Sequence, residues 1–324
     1  MNKLSRFAAA TSVAVLAAFS ASTAMSADIF VVGGKPDDAF WSRVKKGAED
    51  AGIVAEAQGG SVTWLGPQNY DNLGVDAAEL IRQAIDQGAD AIVGPNWVPE
   101  AMNPAFEAVV AAGIPLVIYN AGGIEAADQL GALNYVGAVD YKSGFAGGEY
   151  LGKAGHLNGV CINTIPGAAN LEAFCSGFNE GLASLGGTGS VLPLPSTSFG
   201  SATAVAQAIR AHLLQNPDVN AIFAVGDADT NAAVSGIAQA GKAGQVHVCG
   251  MNFNDSILSN IQQGTQDCAI DQQGYQQGFL AVSILNNYVN YGLTVPTREI
   301  LTGPGVVDAS NVDQVIEGVK AGAR

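Results

Sequence analysis

Short β-branched runs alternate along this chain with stretches in which apolar residues return at helical spacing. DIFVVGG (28–34) is the first run, and WSRVKKGAEDAG (41–52) follows with helical period. SVTWL (61–65) reads as a strand. LGVDAAELIRQAIDQG (73–88) reads as a helix that carries Leu73, Ala77, Leu80, Ile81, Ala84 and Ile85 on one face. Strand 89–95, helix 99–113 and strand 114–120 continue the series. Gly52, Gly88 and Gly113 each stand where a helix is expected to close before a strand. The rhythm restarts after residue 135. A helix at DYKSGFAGGEYLGKAG leads to strand 159–165 and helix NLEAFCSGFNEGLASLG; further strands are expected at 220–226, 245–251 and 265–270, each followed by a helix. This pattern predicts βαβ units and parallel sheets. Two similar α/β halves are expected, the second beginning near residue 139, with the chain crossing between them more than once.

The first residues break the pattern. Lys3 and Arg6 precede an apolar stretch from Phe7 to Phe19, too short to span a bilayer, and Ala24-Met25-Ser26 places small residues before a cut ahead of Ala27. Residues 1–26 are therefore expected to be a secretory signal peptide, with the mature chain exported. No later stretch holds 18 uninterrupted apolar residues, so the mature chain is expected to be soluble.

Charge narrows the partners. The chain has 14 Lys plus Arg against 29 Asp plus Glu. Loss of Lys3 and Arg6 with the leader leaves 12 basic side chains against the same 29 acidic ones, a net charge of −17. Such a surface repels phosphate backbones and anionic lipid, so no nucleic-acid partner is expected. Cys161, Cys175, Cys249 and Cys268 make an even count in an oxidising compartment, which favours disulfides. Local pairing, Cys161–Cys175 and Cys249–Cys268, is expected. Their spacing fits no zinc pattern, and His156, His212 and His247 are scattered, so no metal site is expected.

Catalytic signatures are missing from the sequence. It has no G-x-x-x-x-G-K-[ST], no G-x-S-x-G and no H-E-x-x-H. GGKPDD after the first strand lacks the dinucleotide spacing. Asp37 and Asp38 are adjacent, which does not usually set two carboxylates across a glycosidic bond. No enzyme activity and no cofactor are expected.

Ligands of open α/β sheets bind beyond the carboxyl ends of the strands. In the first half those ends lead to Asp38, Phe40 and Trp41, then Asn96 and Trp97, then Asn120. In the second half they lead to Asn170 with Glu172, Phe199, Asp227, Asn252 and Gln272. Amides and carboxylates pair with adjacent hydroxyls, and aromatic faces pack on the C–H faces of a sugar ring. Almost no cation stands among them; Arg43 is expected on the helix flank. A neutral polyhydroxylated ligand fits, with a cationic one as the alternative. Bland roles remain open: Asp38, Asp227 and Asn252 precede helices and can be caps, and Asn120 can be a turn residue.

Several of these stretches together resemble the type I periplasmic solute-binding proteins, near the ribose-binding and simple-sugar group of ABC importers. DDAFWSRVKKGAEDAG is similar to the first-helix motif whose Asn or Asp and two aromatics meet the sugar, here Asp38, Phe40 and Trp41. IPLVIYNAGG and VCGMNFND resemble strand ends that offer Asp or Asn, here Asn120 and Asn252. DCAIDQQGYQQGF resembles the hinge strand whose Gln contacts sugar, here Gln272, and ILTGPGVVDASNVDQV resembles the closing segment. The resemblance implies two Rossmann-like lobes joined by three crossings: 27–139 plus 273–302, and 140–272 plus 303–324. It also implies a monomer that delivers its ligand to a membrane permease and its ATPase. Ribose-type binders carry an Arg where Ala121 stands and another near Glu172 or Phe174; both are absent, so ribose is not carried over. In the hinge stretch, Asp271 and Gln273 are expected to hold the crossing or face solvent. Gln276 and Gln277 are expected in the first helical turn, at the surface and away from ligand. A sugar-repressor regulator would begin with a helix-turn-helix, which the leader replaces. A sensor docking a chemoreceptor or kinase shares the fold and stays open.

Overall fold

The computed structural model describes residues 26–322 and 324; the expected signal peptide, Ser26 apart, lies outside the described residues. Two six-stranded sheets organise the rest. The first contains β1 (Asp28–Val32), β2 (Ser61–Leu65), β3 (Ala91–Gly94), β4 (Leu116–Tyr119), β5 (Asn134–Ala138) and β11 (Glu299–Gly303), in the order β11-β5-β4-β3-β1-β2. The second contains β6 (Asn158–Asn163), β7 (Thr188–Pro193), β8 (Ala221–Ala224), β9 (His247–Met251), β10 (Cys268–Asp271) and β12 (Gly305–Asp308), in the order β12-β10-β9-β8-β6-β7. The two orders are copies of one another. All pairings are parallel except β12 against β10. This is the two-lobe type I periplasmic-binding fold.

Helices cover both faces of each sheet. In the first lobe these include α1 (Ala39–Ala57), α2 (Leu73–Asp86), α3 (Pro99–Ala111), α4 (Gly123–Gln129) and α10 (Gly274–Tyr291); in the second, α5 (Asp140–Lys153), α6 (Ala169–Ala183), α7 (Ala202–Gln215), α8 (Asp227–Gln239), α9 (Asp255–Gln263) and α11 (Val312–Lys320). Gly88 and Gly113 do end their helices, with φ of 83° and 75°. Gly52 does not. Helix α1 runs through it to Ala57, because a bare Cα there lets the helix lie against Val62 of β2. Close helix pairs use glycine similarly: a Cβ at Gly278 of α10 would collide with the Val44 carbonyl of α1.

The chain passes between sheets at 138–140, 271–274 and 303–305, which together form the hinge. The hinge is tied by Gln273, whose Nε2 donates to the Thr302 carbonyl at 2.8 Å, and by Thr302 Oγ1, which donates to the Gln272 carbonyl at 2.8 Å. Both disulfides form as paired from sequence. Cys161–Cys175 joins β6 to α6, and Cys249–Cys268 joins register partners on β9 and β10, with Cα separations of 5.4 and 4.6 Å.

Candidate ligand-binding cleft

Parallel strands deliver their carboxyl ends to one edge of each sheet, and the two edges face each other. Asp38 follows β1 and caps α1: its Oδ1 accepts from the Phe40 and Trp41 amides at 2.9 and 3.1 Å. Its other oxygen stays on the cleft side, where Tyr70 Oη approaches at 3.4 Å. Capping and cleft-lining are thus two jobs of one carboxylate. The cap also sets Phe40 and Trp41 in the first turn of α1, so both rings face the cleft. Trp41 is the hub of an aromatic wall, edge-on to Phe40, Trp97 and Tyr119 with ring centroids 5.1, 5.3 and 6.0 Å away.

Asn120 and Asn252 occupy matching places after β4 and β9. Each has φ of 60°, a left-handed conformation that Asn tolerates better than most residues. That twist turns each side chain off its strand and into the cleft. Asn120 Nδ2 donates to Gln277 Oε1 at 3.1 Å, and Asn252 Oδ1 accepts from Gln272 Nε2 at 3.2 Å. Gln272 is buried at the hinge, and its Oε1 has no protein partner. Asn170 Oδ1 is buried and similarly unpartnered. Both oxygens are left able to accept a hydrogen bond from a group in the cleft.

The cleft is lined by Asp38, Phe40, Trp41, Trp97, Asn120, Asn170, Phe199, Asp227, Asn252 and Gln272, all expected from sequence. Asn96 and Glu172 do not line it. Asn96 is buried beneath, donating to Asn103 Oδ1 at 2.8 Å. Glu172 turns back on its own loop, where Oε1 accepts from Asn163 Nδ2 and the Gly167 amide at 2.9 and 3.0 Å. Tyr70, Leu73, Leu171 and Phe174 line the cleft and were not expected. Tyr70 is the aromatic residue of the loop after β2, so the same strand-end signal points to it. Asn252 is not the cap of α9; Asn254 is, accepting from the Ile257 amide at 3.0 Å.

Gln277 departs most from expectation. It is fully buried rather than at the surface, because its face of α10 packs on the hinge. Its amide bridges the Asn120 side chain and the Gln272 carbonyl, the latter at 3.1 Å. Gln276 is exposed, as expected.

The lobes meet across the cleft. The Ala169 amide donates to the Trp97 carbonyl at 3.1 Å, Arg43 Nη1 donates to the Phe253 carbonyl at 2.7 Å, and Tyr70 meets Phe199 edge-on at 4.9 Å. This is a closed arrangement.

A family model for the periplasmic binding protein domain matches residues 29–293. The chain belongs to this family. Among curated proteins it is similar to a xylose/arabinose-binding protein of Sulfolobus acidocaldarius, 27% identical over 84% of this chain and 69% of that one. It is also similar to a D-ribose/D-allose-binding protein of Pseudomonas aeruginosa, 27% identical over 63% of this chain and 64% of that one. Among solved structures, a carbohydrate transporter from Acidothermus cellulolyticus in complex with myo-inositol superposes with a TM-score of 0.82, at 29% identity, covering 92% of this chain and all of that one. The family is one of sugar-binding transport proteins, not of enzymes.

The electrostatics of this periplasmic binding protein's cleft follow from its lining residues. Among the described residues lining the cleft there is no Lys or Arg. Burial raises the Asp38 and Asp227 carboxyls above their usual range, opposed by hydrogen bonds from neighbouring amides. Asp229, fully buried behind them, is pushed up to about 7, chiefly by burial, while Thr164 Oγ1 donates to it at 2.8 Å. The nearest guanidinium, Arg43, stands outside the lining, 5.2 Å over the Phe253 ring. An anion would meet carboxylates with no lining cation to offset them.

Proposed function

We propose that this protein is the periplasmic substrate-binding component of an ABC importer, and that its cargo is an uncharged monosaccharide or cyclic polyol. The observation that carries the reading is the cleft itself: an aromatic wall facing amides and carboxylates, two buried oxygens awaiting donors, and no lining cation. Ring hydroxyls would donate to Gln272 Oε1, Asn170 Oδ1 and the Asp38 and Asp227 carboxylates, while C–H faces pack on Trp41 and Trp97. Bridging both lobes would favour closure about the hinge, and the closed monomer would then dock its permease and ATPase. The sugar- and inositol-binding relatives support the same class. Export with cleavage between Ser26 and Ala27 completes the reading.

The test is a thermal-shift screen of the mature protein against neutral aldoses, cyclitols, sugar acids, sugar phosphates and amines, followed by calorimetry on the hits. Neutral ligands should raise the melting temperature, and sugar acids and phosphates should not. Tight binding confined to anionic ligands would overturn the proposal. The proximity of Asp38 and Asp227 favours one second reading, a cationic solute, and hits only among amines would select it.

A further inference from the structure

The three histidines are scattered in sequence, yet the fold stacks two of them at the end of the second lobe away from the cleft. His247 opens β9, and His156 stands in the turn between α5 and β6. Their rings lie 3.5 Å apart between centroids and 12° from parallel. Asp267, just before β10, completes the group: its Oδ1 lies 2.8 Å from His247 Nδ1. One donor atom from each of the three side chains falls within 4.8 Å of the others, and all three residues are half-buried. Among the described residues, this is the one such group of three or more His, Cys, Asp or Glu.

We propose that His156, His247 and Asp267 form a binding site for a divalent transition metal of the zinc class. Two imidazoles and a carboxylate are the borderline donors that such ions take, at about 2.0–2.2 Å each, with water left to fill the fourth position. Those bond lengths put neighbouring donors roughly 3.4 Å apart in a tetrahedral site, so donors that now lie within 4.8 Å of one another must draw in by up to about 1.4 Å. Two of them are already held. The Asp267 Oδ2 accepts from the Val248 amide at 2.9 Å, and the Cys249–Cys268 bridge clamps β9 to β10 immediately beyond both residues. His156 is the donor that must move. Its ring has to leave the stack so that a lone pair points at the ion rather than past it. It follows Gly155, whose φ of 92° lies just past the end of α5, and sits half-buried in the turn outside any helix or strand. The ion would fasten the α5–β6 turn to the starts of β9 and β10. The cleft lies at the other ends of these strands, so ligand binding should be indifferent to it.

The experiment uses untagged mature protein, stripped of metal, and Zn2+ alone as the probe. Calorimetry should show one saturable site, and the melting temperature should climb with Zn2+ concentration as mass action requires. His156→Ala and His247→Gln should each weaken binding at least about ten-fold, Asp267→Asn by about ten-fold or more, and His212→Ala not at all. Imidazole NMR signals of His156 and His247 should shift on titration while that of His212 stays, a readout that needs no variant. Absence of saturable binding to the wild-type protein would overturn the proposal. So would unchanged affinity in a His156→Ala protein that melts normally without metal, or shifts centred on His212. Sugar affinity is measured beside each variant; its loss would speak to the cleft and not to this site.

Discussion

Gln272→Ala separates a ligand-binding amide from a structural one. In the closed protein Gln272 makes one side-chain hydrogen bond within the chain, from Nε2 to Asn252 Oδ1 at 3.2 Å, while its Oε1 is buried without a protein partner. Truncation removes a bond worth about 0.5–1.5 kcal/mol, but it also removes an orphaned acceptor that costs about 1–3 kcal/mol. The two nearly cancel, so the free protein should unfold within about 1 kcal/mol of wild type. The bound state is different. There the Oε1 would accept a ligand hydroxyl, which truncation leaves short of a partner; Asn252 Oδ1 loses its donor in both states and drops out of the difference. Affinity should fall by about 1–3 kcal/mol, roughly 5- to 150-fold. The backbone is unaffected, since the Gln272 carbonyl keeps its bonds from Thr302 Oγ1 and Gln277 Nε2. The assay is calorimetry with the best ligand of the screen, paired with urea unfolding of the free protein. Wild-type affinity in a folded variant would refute the reasoning. So would a loss of stability as large as the loss of affinity, since Gln272 would then be structural.

Other substitutions and conditions give contrasting outcomes. Gln277→Ala strands the Asn120 amide and empties a buried volume, so it should cost about 2–4 kcal/mol of stability and weaken ligand binding too; a surface-like change below about 0.5 kcal/mol in urea unfolding would contradict the bridge. Asp229 has its folded pKa raised to about 7 from 3.8, so between those values the folded chain holds a proton that the unfolded chain has released. Stability should therefore fall as pH rises from about 4 to 7, by an order of 4 kcal/mol from this group, and Asp229→Asn should flatten the melting-temperature profile over that same range. Opening either disulfide, with sequence separations of 14 and 19, should cost about 3 kcal/mol in the loop-entropy model; an unchanged denaturation midpoint in Cys161→Ala/Cys175→Ala protein would show that the bridge adds nothing.

The sequence alone determined what depends on neighbours along the chain. Alternating β-branched runs and helical spacing specify βαβ units, because side-chain direction in a strand or helix follows local periodicity. Parallel strands all point the same way, so the residues just after them, from Asp38 to Gln272, had to gather at the sheet edges. Cysteines 14 and 19 residues apart could be paired by proximity. Tertiary structure decided whatever required knowing which distant element lies alongside. Nothing in the α10 pattern says that Gln277 faces the hinge and meets Asn120, 157 residues earlier. Glu172 looks like a cleft residue until its loop folds back to take the carboxylate for its own amides. Helix α4 and the closing β11 and β12 left weak patterns, since a seven-residue helix and edge strands bury too few side chains to show a period, whereas β5 is buried at every position and so shows no alternation. His156 and His247 are 91 residues apart, and only the alignment of β6 with β8 and β9 stacks their rings. Local periodicity orients a side chain within its element; sheet order and helix packing choose what it touches.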